Sequence, residues 1–226
     1  MPVVLGYWDI RGLAHSIRLL LEYTGTAYED KMYSCGEGEW CRQGAKLALP
    51  SSLSGKRSEG PGTARLCRSS AETPLSLARR KALVRAGIWL GGCGETEEEM
   101  LRVDMLENQA MDFRMSLVMI CYNPDFEKLK SGYLEQLPGK LKLFSQFLGK
   151  RKWFAGEKIT FVDFVMYDIL DQNRMFEPKC LDQFQNLKDF LDRFEALEKV
   201  AAYMSSSRFM KTPVNNRMAK WSNQKK

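Results

Sequence analysis

A single histidine, His15, in 226 residues leaves almost no imidazole for metal binding or acid–base work. The six cysteines, Cys35, Cys41, Cys67, Cys93, Cys121 and Cys180, include no C-x-x-C pair. In a chain this long they read as thiols, not as a disulfide framework or a zinc site, so no metal is expected. No apolar run approaches the roughly 20 residues that span a bilayer, and no charged, apolar and small-residue leader opens the sequence. A cytoplasmic protein with no membrane partner is the expectation.

A deficit of another kind marks residues 41–93, which contain no Asp, Asn, Phe, Tyr, Met or His. That block holds ten basic residues against Glu59 and Glu72, a net charge of +8, while the whole chain carries +6. The remainder is therefore slightly acidic, and the basicity belongs to one segment. Affinity for nucleic acid would rest on that segment and fall steeply with salt; the remainder lends it no support, and no nucleic-acid partner is expected. Only Val84, Ile88 and Trp89 offer bulky β-branched or aromatic packing there, no run reads as a strand, and the composition suits a chain that cannot offset its ordering entropy. A short helix around "RRKALVRAGIWL" is the one element expected within it.

What is present on either side is more regular. Residues 3–7 form a short apolar run suited to a buried strand, and after the turn Asp9–Gly12 the positions Leu13, Ile17, Leu20 and Leu21 share one helical face. "AYEDKMYS" follows as a second strand, which makes a parallel βαβ opening. From Thr96 onward the spacing is helical. Thr96 and Glu99 form a capping box ahead of Val103, Leu106, Ala110, Phe113, Leu117 and Ile120. Asn123 and Pro124 suit the start of a second helix that Pro138 should disturb, and Thr160 with Asp163 caps a third, with Ile159 able to staple to Phe164. A last long helix is predicted from Leu187 to Met204.

These residues carry a family likeness. "LGYWDIRGLAHSIRLLLEYT", "CGETEEEMLRVDMLENQAMDFR", "CYNPDFEKLK", "FLGKRKWFAGEKITFVDF" and "NLKDFLDRFEALEKVAAYMSSSRF" resemble the mu-class cytosolic glutathione transferases. The resemblance implies an α/β plus all-α fold. Residues 1–37 begin a thioredoxin-like glutathione-binding domain, 38–92 do not match, and 93–226 form an all-helical domain. It further implies a homodimer that joins glutathione, a co-substrate and not a bound cofactor, to small hydrophobic electrophiles.

Four residues take roles by that resemblance. The Tyr7 hydroxyl hydrogen-bonds the glutathione sulfur and activates it, Trp8 holds the glutathione backbone, Asp112 reaches the glutathione amino group across the dimer interface, and Tyr122 faces the electrophile. Read without it, Tyr7 and Trp8 are strand-end packing, Asp112 is a solvated helix charge and Tyr122 a helix-end aromatic. The family's Trp and Lys for the carboxylate end, its Asn-Leu-Pro segment, its Gln-Ser pair and its interlocking phenylalanine are absent from residues 38–92. Two readings stay open on that account, a transferase with a weakened grip on glutathione and a non-catalytic dimerising or ligand-binding relative. Gly38-Glu39-Trp40 can be encoded by a sequence containing GTGAGT, typical of a splice donor, so the block reads as translated intron or as a mistaken gene model in place of the native segment.

Overall fold

The computed structural model describes residues 3–34, the backbone of 46–48, and residues 94–225. β1 (Val3–Trp8) leads through a 3-10 turn (Gly12–Ala14) into α1 (His15–Thr24), and β2 (Tyr28–Tyr33) returns parallel to β1 with Val3 opposite Tyr28 and Trp8 opposite Tyr33. The expected βαβ opening is thus observed. Gly25 closes α1 at φ +69°, where its N–H reaches the Glu22 carbonyl and Thr26 N–H the Leu21 carbonyl. Such a left-handed cap is readily open to glycine alone among common residues.

One expectation fails in the basic block. Lys46–Ala48 forms a strand, β3, antiparallel to β1 on the side away from β2, so the sheet order is β2-β1-β3. β1 is an apolar strand with a free edge, and three residues of backbone suffice to pair it; strand propensity in the pairing segment matters less than the template. The helix expected near residues 79–90 lies outside the described residues, as does the rest of the block.

The second part is helical: α2 (Glu97–Cys121), α3 (Phe126–Leu148), α4 (Phe161–Phe176), α5 (Gln185–Glu195) and α6 (Glu198–Met204). The Thr96 hydroxyl accepts from Glu99 N at 3.2 Å while the Glu99 carboxylate accepts from Thr96 N, which completes the predicted box. The one at Thr160 and Asp163 is also formed. There the Asp163 carboxylate accepts from Phe154 N at 2.8 Å and Thr160 N at 2.7 Å, and burial pushes its pKa up to about 6 against those donors. α3 begins later than predicted, because the Asn123 side chain accepts from Asp125 N and makes a turn of the segment. It also runs through Pro138 without ending, since Leu137, Leu141, Phe144 and Leu148 keep one buried stripe across the proline. The long C-terminal helix is two helices, broken at Ala196–Leu197.

α4 is the axle. Every residue from Phe161 to Asn173 is buried, including Asp163, Asp168, Asp171, Gln172 and Asn173. α1 and α2 both pack on it, which fixes the βαβ unit against the helical part. Among the described residues no helix is long and apolar enough to cross a membrane.

Candidate active site

Tyr7 is the penultimate residue of β1, buried to 7% exposure and paired with Met32. Its oxygen accepts a hydrogen bond from Leu13 N at 3.0 Å. That approach requires a glycine one residue earlier. Gly12 has φ +42°, and a Cβ there would lie 2.6 Å from Tyr7 Cε1 and 2.8 Å from its hydroxyl oxygen. The turn is therefore shaped around the phenol.

Three further contacts hold the turn. Arg11 N donates to the Pro213 carbonyl at 2.7 Å and Gly12 N to the Val214 carbonyl at 3.1 Å, so the C-terminal tail closes over it. From below, Arg114 on α2 donates to the Gly12 carbonyl. The other arm of Arg114 donates to Asp168 at 2.6 Å; Asp168 also accepts from Arg11 Nε at 3.1 Å and Gln172 Nε2 at 3.0 Å, and Arg11 pairs with Asp171 at 2.7 Å. Burial alone would raise the Asp168 carboxyl, but the Arg114 and Arg11 guanidiniums overcome it and hold the group well below the usual carboxylate range. His15, fully buried with neither ring nitrogen hydrogen-bonded, is pushed the other way for an imidazole: burial first, then Arg11, depress its pKa well below the ordinary value.

Trp8 leaves β1 on the opposite face, half-buried and edge-on to Tyr33. With Ile10, Tyr33, Asn215, Asn216 and Lys225 it lines a cavity of about 510 Å³. Tyr122, the C-cap of α2, accepts from Asn216 N at 2.9 Å, so it is tied to a residue that lines the Trp8 cavity. Tyr7, Trp8 and Tyr122 are thus gathered at one end of the molecule by the turn and the tail.

Asp112 is not with them. It is exposed on α2 and borders a separate cavity of about 400 Å³ with Met105, Gln109, Lys140, Leu143 and Phe147. Leu101, Met105, Met115 and Met119 are exposed along the same helix, and with Asp112 between them the successive spacings are four, seven, three and four. Among the described residues no group of three or more His, Cys, Asp or Glu side chains is placed to hold a metal ion.

Gly12, Leu13, Arg114, Asp168 and the tail were not singled out from the sequence. Their signals were present but weak: a glycine just before an apolar helix face, and a lone carboxylate in "FVMYDIL", an otherwise apolar stretch that can bury Asp168 only with a cation.

Family profiles for the glutathione S-transferase N-terminal and C-terminal domains match residues 3–50 and 110–198. Human glutathione S-transferase Mu 1 is 56% identical over 234 aligned positions, covering 99% of this chain and all of the relative. The chain belongs to the Mu-class glutathione S-transferases. Human glutathione S-transferase Mu 3 is 55% identical, covering 98% of this chain and 96% of the relative. The fold agrees: a Pi-class glutathione S-transferase from Onchocerca volvulus superposes with a TM-score of 0.73 at 23% identity, over 97% of this chain and all of that one. The N-terminal domain profile extends to residue 50, so it takes in β3 and runs past Gly38, where the resemblance read from the sequence ends.

Proposed function

We propose that this glutathione transferase activates its co-substrate with the Tyr7 hydroxyl, which donates a hydrogen bond to the glutathione sulfur. A free thiol titrates near about 8.5, and the thiolate is the nucleophile, so a fixed donor beside the sulfur raises the reactive fraction at neutral pH. The observation that carries the reading is the Leu13 N–H to Tyr7 oxygen bond at 3.0 Å. It engages an oxygen lone pair, leaves the phenolic hydrogen as the donor and sets its direction. The N-terminus of α1 just beyond adds positive potential. The thiolate then attacks an electrophilic carbon of a small hydrophobic substrate and forms a thioether.

In the same reading Trp8 holds the glutathione backbone at the 510 Å³ cavity that it lines, and Tyr122, tied to that cavity through Asn216, faces the electrophile. Asp112 serves a glutathione bound to a second copy. Its exposure on a methionine-rich face of α2, away from Tyr7, supports a homodimer built through that face. No metal or tightly bound cofactor is required, and the protein works in the cytoplasm without nucleic-acid or membrane partners. The missing Asn-Leu-Pro and Gln-Ser elements predict weaker glutathione binding than a complete site provides.

The test is calorimetric titration with glutathione alongside conjugation to a chromogenic aryl halide, for the full chain and Tyr7→Phe. Tyr7→Phe should keep binding and lose about 100-fold in kcat/KM, the cost of removing one preorganised donor. Absence of saturable binding at millimolar glutathione would defeat the reading, as would a fully active Tyr7→Phe.

A further inference from the structure

The carbonyl that Arg114 holds and the N–H that reaches Tyr7 belong to one peptide group. Gly12 C=O and Leu13 N–H share a single amide plane, with the Arg114 guanidinium on its oxygen and the Tyr7 phenol oxygen 3.0 Å from its nitrogen. Arg114 is 3% exposed and Asp168, which fixes its other arm at 2.6 Å, is fully buried. From these contacts, and resting on the reading of Tyr7 as the thiol activator, we propose that Arg114 is a positioning residue that sets the strength and direction of the Tyr7 hydroxyl through the Gly12–Leu13 peptide.

The physics has two parts. A cation at a carbonyl oxygen draws electron density across the amide and makes its N–H a stronger donor. In a water-poor interior such chained hydrogen bonds strengthen one another by about 10–30% per bond. A phenol oxygen that accepts a stronger bond becomes a better donor through its own hydrogen, so the gain arrives at the sulfur. The second part is geometric: a peptide held at both ends cannot rotate its N–H away from the phenol. Asp168 keeps Arg114 aimed, and because Asp168 also accepts from Arg11 and Gln172 it does not lose all its partners when Arg114 is removed.

The experiment measures the pH dependence of kcat/KM and the ultraviolet absorbance of enzyme-bound glutathione thiolate for the full chain, Arg114→Met, Arg114→Gln and Tyr7→Phe. Arg114→Met should move the thiol inflection up by about one pH unit, which lowers kcat/KM about tenfold on the acid side and leaves the alkaline plateau near that of the parent. A role in packing alone scales the whole profile without moving its inflection, and that outcome overturns the proposal. Arg114→Gln keeps a donor for Asp168 but lacks the second arm, and it carries the same test should Arg114→Met not fold. A shift in Tyr7→Phe with none in the folded Arg114 variants sinks the relay and spares the Tyr7 reading. No shift in Tyr7→Phe sinks the reading itself.

Discussion

Gly12→Ala tests whether the turn is shaped around the phenol. The new methyl would stand 2.6 Å from Tyr7 Cε1, about 0.8 Å short of the 3.4 Å at which ordinary contact begins, and 3.1 Å from Ile10 Cδ1. Arg11, Gly12 and Leu13 are tied to the tail, α2 and Tyr7, so the backbone has little room to retreat and the ring must give. A shift of that size stretches the 3.0 Å Leu13–Tyr7 bond beyond hydrogen-bonding range. Alanine at φ +42° adds about 1–2 kcal/mol of backbone strain, and overpacking about 1–3 more. A total of about 2–5 kcal/mol lowers Tm by about 4–20 °C for a chain this size, at about 2–4 °C per kcal/mol. The folded fraction should also lose about tenfold or more in kcat/KM toward an aryl halide as the hydroxyl loses its orientation. Differential scanning calorimetry and initial rates, with the enzyme held well below its transition, separate the two effects. Gly132→Ala is the control: it sits in α3 with nothing within 4 Å of the added methyl, and should be neutral or stabilising by up to about 1 kcal/mol. A Gly12→Ala protein with parental Tm and parental kcat/KM would refute the reasoning.

Two other perturbations address the buried charges. Asp168→Asn leaves Arg114 and Arg11 facing a neutral amide and should cost about 3–5 kcal/mol in urea unfolding, while a loss below 1 kcal/mol would mean that Asp171 and Gln172 compensate. His15 supplies a pH signature that no other imidazole can blur. Its pKa is depressed on folding, so below about 6.5 the unfolded chain takes up a proton that the folded one refuses; its contribution is present above that pH and is lost as pH falls. The fall in stability between pH 7 and 5 should flatten in His15→Phe, and equal slopes in the two proteins would exclude His15 as its source.

Local rules read most of this fold, and their failures have local causes. Both capping boxes and the buried stripe of α2 follow from residue type and spacing alone. Pro138 misled because a proline's missing N–H costs less than abandoning a stripe that continues to Leu148, and tertiary packing outweighs the local penalty. β3 was invisible because its pairing is set by the β1 edge and not by its own side chains. At the site, family resemblance alone points to Tyr7, Trp8, Asp112 and Tyr122, whereas Arg114, Asp168 and the tail act across separations that spacing does not encode. Gly12 and Arg114 stand 102 residues apart, and Arg11 and Asp168 157 apart.

The tail contacts also order events in time. Tyr7 is made well before Pro213 and Val214, whose carbonyls anchor its turn, and Asp9 well before Lys225, which pairs with it at 2.6 Å. A chain still on the ribosome can assemble the strand and the helix of its opening unit without the brace that orients the hydroxyl. On the proposed role of Tyr7, thiol activation is thereby postponed until residues 213 and 214 have joined the fold, and a product cut short before residue 213 carries the tyrosine without its setting.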